Sequence, residues 1–112
     1  MLDDLDNSAL DELPFGVVCL DESLQVVRFN RTEAERAGIQ QWRAIGRKFF
    51  ADIAPGPANR ALAEHVAAFA SAPRTQMAVS HTFYRRTGAD PTTIELSHGR
   101  DPRRVYLAIR HH

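Results

Sequence analysis

The spacing of apolar positions divides the chain into stretches of distinct period. Leu2, Leu5, Ala9 and Leu13 recur three and four residues apart with acids between them, which predicts an amphipathic helix over residues 2–13. Pro14 interrupts it. The apolar run Phe15-Gly16-Val17-Val18-Cys19-Leu20 is too short for a helix and reads as a buried strand. A polar turn at Asp21-Glu22-Ser23 then leads into a second strand, Leu24 to Phe29, so that the two form a hairpin. Asn30 is a helix-capping residue, and Glu33 stands three positions on, where its carboxylate can reach back to the capping residue's amide. A short helix is therefore expected from Arg31 to about Ala37, stopped by Gly38.

Residues 40–54 carry apolar positions at irregular spacing and predict short helical turns, after which Pro55-Gly56-Pro57 breaks the chain. Ala58 to Ala72 is alanine-rich with Leu62, Val66 and Phe69 on one face, the longest helix predicted, and Pro73 closes it. From Gln76 the period becomes two, with Met77, Val79, His81 and Phe83 on one phase. Thr87-Gly88-Ala89-Asp90-Pro91 reads as a turn, Thr93 to His98 as a strand, Gly99-Arg100-Asp101-Pro102 as a second turn and Val105 to Ile109 as the last strand. Strands clustered on both sides of a helical insert predict an α+β domain. Its five-stranded antiparallel sheet carries short helices over one face, with room for a small ligand between the layers.

At 112 residues the chain is one domain's worth, divided here into a terminal helix, 1–13, that caps the sheet or pairs two copies, and a single domain, 14–112. Fourteen basic and fourteen acidic residues cancel, which argues against a nucleic-acid partner. A mean hydropathy of −0.34 and the lack of a long apolar stretch argue against a membrane span. One cysteine, Cys19, rules out an internal disulfide. No basic segment followed by an apolar export core opens the chain, so the cytoplasm is the expected location. No nucleophile, histidine and acid order and no paired carboxylates point to an enzyme.

The segment LDELPFGVVCLDESLQVVRFN, then IGRKFF, DIAP and a helix leading into Thr82-Phe83, resembles the photoactive yellow protein branch of the PAS superfamily. The resemblance runs without a gap from Leu10 to Phe83 and implies the PAS fold, with a pocket between helices and sheet. The family's chromophore-bearing cysteine falls here at Gly56, which has no nucleophile, so no covalent hydroxycinnamoyl group is expected. The phenolate-binding tyrosine falls at Phe29, a network threonine at Ala37 and a lid arginine at Ile39; the glutamate alone is kept, as Glu33. Cys19 lies on the first strand and does not replace the missing thiol.

The resemblance thus implies a sensor that binds a small aromatic or apolar ligand without a covalent bond and signals to an unidentified protein partner. Its pocket residues would be Phe29, Glu33, Ala37, Phe49, Phe50, Gly56, Phe69 and Phe83. Each has a simpler alternative: plain core for the phenylalanines, a chain turn for Gly56 and the capping box for Glu33. A ligand-free dimerisation or interaction module is the second reading. A haem sensor ligated by His65 is the third, against which stands a surface histidine. His81 and His98 fall on the apolar phase of their strands, as core histidines or a weak metal pair.

Overall fold

The strand segments pair into one five-stranded antiparallel sheet in the computed structural model, which describes residues 1–72 and 76–112. The strands are β1 (Gly16–Leu20), β2 (Val26–Phe29), β3 (Met77–Arg85), β4 (Gly88–His98) and β5 (Val105–His111), in the order β2-β1-β5-β4-β3. Among the described residues the α-helices are α1 (Asn7–Asp11), α2 (Arg31–Ala37), α3 (Gln41–Ala44) and α4 (Arg60–Ala70). A π-helical turn, Phe49–Ile53, and a 3-10 turn, Pro57–Asn59, fill the insert between α3 and α4. This is the α+β architecture that the periodicity predicts.

Register sorts the side chains onto two faces. Val18, Leu107, Leu96, Ile94 and Ile109 meet across the inner face, under Ala44, Phe49, Leu62, Val66 and Phe69 of the helical cover. The buried stripe of α4 is the predicted one, and each of its three large side chains contributes roughly 1.5–3 kcal/mol by leaving water. Gly38 ends α2 at φ +71, the left-handed conformation that glycine adopts without strain, and its amide closes on the Ala34 carbonyl. The stop expected at Pro73 lies outside the described residues.

β2 starts at Val26 rather than Leu24 and α4 runs Arg60–Ala70 within the expected 58–72, and two further segments depart more from the sequence reading. The single helix over 2–13 is instead a 3-10 turn, Leu2–Asp4, followed by α1, because Asp6 leaves the helix to cap the second piece through the Ala9 amide at 2.8 Å. Leu2, Leu5 and Leu13 of the predicted stripe nevertheless pack on the outer face of the sheet, against Val17, Cys19 and Tyr106, but the fully buried member there is Leu10 rather than Ala9. The turn expected over 87–91 is shorter. Arg85 pairs with Gly88, so Arg86-Thr87 alone makes the hairpin, and Gly88 absorbs the tight reversal at φ +119. Ala89, Asp90 and Pro91 belong to β4. Pro91 is tolerated because its main-chain groups face the end of β5, where its carbonyl accepts from the His112 amide and no ladder donor is lost.

The outer cap is held by a polar latch. Tyr106 donates its hydroxyl hydrogen to Asp3 Oδ1 at 2.6 Å and accepts from Arg28 Nη1 at 2.8 Å, while Arg28 Nη2 donates to the Leu5 carbonyl. The Tyr106 hydroxyl and the Arg100 amide hold the Asp3 carboxyl below its ordinary value. Tyr106→Phe keeps the ring and removes both bonds, and should lower stability by about 1–2 kcal/mol. A urea midpoint shifted down with an unchanged slope would show it; an unchanged midpoint would mean that the latch is solvated for no net gain.

Candidate functional site

Glu33 enters the interior because Asn30 starts α2. The Asn30 side-chain oxygen accepts from the Glu33 amide at 3.1 Å, one half of the expected capping box. The other half is absent. The Asn30 amide is used by the Val17 carbonyl, and the Glu33 carboxyl turns inward against β1. It sits directly over Gly16, whose missing side chain makes the space: a Cβ there would collide with Glu33 Oε1.

The carboxyl is 2% exposed and meets Arg85, whose Nη2 donates to Glu33 Oε2 at 3.2 Å. Arg85 Nε donates to Asp90 Oδ2 at 2.8 Å, and His111 Nδ1 lies 2.6 Å from Asp90 Oδ1. The guanidinium also stands over the Phe83 ring, 4.6 Å from its centre. Four titratable groups from α2, β3, β4 and β5 therefore form one chain of contacts beneath the helical cover. Two buried polar atoms at its ends, Glu33 Oε1 and His111 Nε2, have no partner.

Burial pushes the Glu33 carboxyl up to about 7 even though Arg85 draws it down. For Asp90 the balance is the reverse: burial pushes it up, but the hydrogen bonds from His111 and Arg85 outweigh that and hold it low. One carboxyl of the cluster is thus committed to its charge, and the other changes protonation near neutrality.

The other predicted site residues scatter around this cluster. Phe29, Phe49, Phe69 and Phe83 are buried in one contiguous core, with Phe50, Ala37 and Ile39 packed half-buried at its margin. Gly56 is exposed, and its φ of +106 accounts for the glycine; a side chain there would meet nothing within 4 Å. His65 faces solvent, on the side of α4 away from Leu62, Val66 and Phe69. His81 and His98 do not meet as a metal pair. His81 Nε2 lies 2.8 Å from Asn59 Oδ1, whereas His98 stacks on Phe69 and its ring nitrogens face the Ala72 and Pro102 carbonyls. Cys19 is buried on the outer face, where burial pushes its thiol up to about 11 and leaves it inert.

Arg85, Asp90 and His111 were not singled out from the sequence. Arg85 continues the inner phase of Met77, Val79, His81 and Phe83, and the register of β4 then places Asp90 opposite Phe83. Extending that alternation by one step would have found the guanidinium.

Residues 10–108 match the PAS fold family model, so the chain belongs to the PAS family. It is similar to the photoactive yellow protein of Rhodothalassium salexigens, 38% identical over 52 residues, or 46% of this chain and 42% of that protein. The photoactive yellow protein of Rhodobacter capsulatus is 42% identical over 45 residues, 40% of this chain and 36% of that one. The chain thus matches less than half the length of these curated relatives. Among solved structures, the photoactive yellow protein domain of the sensor histidine kinase Ppr from Rhodospirillum centenum superposes with a TM-score of 0.84 at 25% identity. That superposition covers 96% of this chain and 95% of that domain. The PAS domain of the Cronobacter turicensis quorum-sensing receptor RpfR, in complex with BDSF, gives 0.76 at 19% identity over 89% and 95%. The chain is a PAS domain similar to photoactive yellow protein. Among the described residues no helix is long and apolar enough to cross a membrane.

Proposed function

We propose that this domain senses a small, mainly apolar or aromatic ligand held without a covalent bond, and passes a rearrangement of its helical cover to a protein partner. The observation that carries this reading is the Glu33 carboxyl, buried at the edge of an aromatic core with one oxygen unpartnered. A buried polar atom without a partner costs free energy, and a ligand oxygen would satisfy it. When protonated, Glu33 donates to that oxygen; Arg85, released from it, keeps Asp90 as its carboxylate. Phe29, Phe49, Phe69 and Phe83 supply the apolar walls, and the poorly buried segment between α2 and α4 is the part able to move. The RpfR domain in complex with BDSF supports the reading as an instance of this fold holding a small molecule.

Native and denaturing mass spectra of the protein isolated from its own cells test it. The expected result is an added mass in the native spectrum that is lost on denaturation, with at least about a tenfold lower occupancy in Glu33→Gln. Mass that survives denaturation would overturn the non-covalent reading. No added mass in any preparation would favour the second reading, a ligand-free interaction module, which the continuous packing of the inner aromatic residues supports.

A further inference from the structure

Strand β3 lies at the edge of the sheet, and the orientation of its main-chain groups follows from β4. The Pro91 carbonyl points toward β5, where it accepts from His112, so the groups of the next residue, Thr92, face β3 and bond its partner His81. Alternation then turns the amides and carbonyls of Ala78, Ser80, Thr82 and Tyr84 away from the sheet. Among the described residues none of these groups has a hydrogen-bond partner. The strand is nine residues long in continuous register with β4, with no bulge, proline or lysine in it. Those are the devices by which edge strands are usually kept from pairing.

We infer that β3 is an association edge whose occupant is the β3 strand of a second copy, antiparallel and centred on His81. That register brings the outward-facing groups of Ser80 opposite those of Thr82, and those of Ala78 opposite those of Tyr84, so every free group of the strand is used. It sets the Ser80 hydroxyl beside that of Thr82 and Val79 beside Phe83, the hydroxyl and the branched-aromatic pairs that stabilise antiparallel ladders. Tyr84, 73% exposed, gains the small Ala78 as its neighbour. Met77 meets the aliphatic stem of Arg85. No carboxylate lies on the strand, and the sole group meeting its own copy is His81, which burial holds toward its neutral form. The edge is thus self-complementary in hydrogen bonding, size and charge.

Sedimentation equilibrium across a concentration series, with amide exchange measured at both ends of it, tests the inference. A monomer–dimer equilibrium is expected, with concentration-dependent protection at the amides of Ala78, Ser80, Thr82 and Tyr84. Thr82→Pro deletes an outward amide without touching the ladder to β4, and should weaken dimerisation at least about tenfold. Ser80→Lys/Thr82→Lys keeps every amide and sets lysines against each other across the interface, and should do the same; circular dichroism matching wild type confirms that either variant is folded. A chain that stays monomeric, or a dimer that both folded variants form as tightly as wild type, overturns the inference.

Discussion

Asn30→Ala should destabilise the domain by about 3–5 kcal/mol, more than the loss of any ordinary helix cap. The Asn30 side chain accepts from the Val17 amide at 2.8 Å and from the Glu33 amide at 3.1 Å. It donates to the Leu10 and Phe15 carbonyls at 2.9 and 3.0 Å. One buried amide thus joins the end of α1, the start of β1 and the start of α2. Alanine leaves the Val17 and Glu33 amides and the Phe15 carbonyl without partners, while the Leu10 carbonyl keeps the Leu13 amide at 3.2 Å, and each such orphan costs about 1 kcal/mol or more. Asn30→Asp with a neutral carboxyl keeps the two bonds that the oxygen accepts and can donate one of the two that the nitrogen gave, so it should fall between wild type and alanine at a pH where the carboxyl is neutral. Urea unfolding measures both; a loss under about 1 kcal/mol for alanine would show that the three segments hold together without this residue.

The second large effect is on the pH dependence of stability. Glu33 has an ordinary value of 4.5 when exposed and about 7 when folded, with burial the main cause and Arg85 opposing it. Between those values the native state holds a proton that the unfolded chain has released, so stability falls as pH rises through this window. The full difference corresponds to roughly 3 kcal/mol, present below pH 4.5 and gone above 7. His81 acts in the opposite direction, since burial lowers it and costs stability as pH drops below 6.5; Asp3 and Asp90 matter only in stronger acid. The contribution of Glu33 is therefore the difference between wild type and Glu33→Gln. Urea titrations at pH 5 and pH 8 should show the wild type losing stability relative to the variant as pH rises. A difference that is the same at both values would mean that the carboxyl stays ionised against Arg85 throughout.

Much of the fold is legible in the sequence because burial imposes a period. The alternation of Met77, Val79, His81 and Phe83 fixes the inner face of β3, and Leu62, Val66 and Phe69 fix that of α4. Asn30 was recognisable as a cap from its type and position. What the pattern could not carry were contacts between distant segments. Asp90 and Pro91 have turn composition, and nothing local says that Arg86-Thr87 closes the hairpin before they are reached. The fate of Glu33 was equally hidden: the same residue three positions past a cap serves the helix start in water and turns inward when a glycine stands opposite it. Of the cluster, the sequence pattern points to Glu33 alone. Arg85, Asp90 and His111 join it through a register that only the folded sheet defines.

The contact between Gly16 and Glu33 also bears on how such a sequence can drift. Two positions seventeen residues apart share one volume, so neither is free to change by itself: a methyl group at 16 requires a shorter side chain at 33, and a shorter side chain at 33 leaves a hole that a methyl group at 16 would fill. Mutations at the two sites are epistatic, and descendants that abandon the acid should be found with something larger than glycine on the first strand.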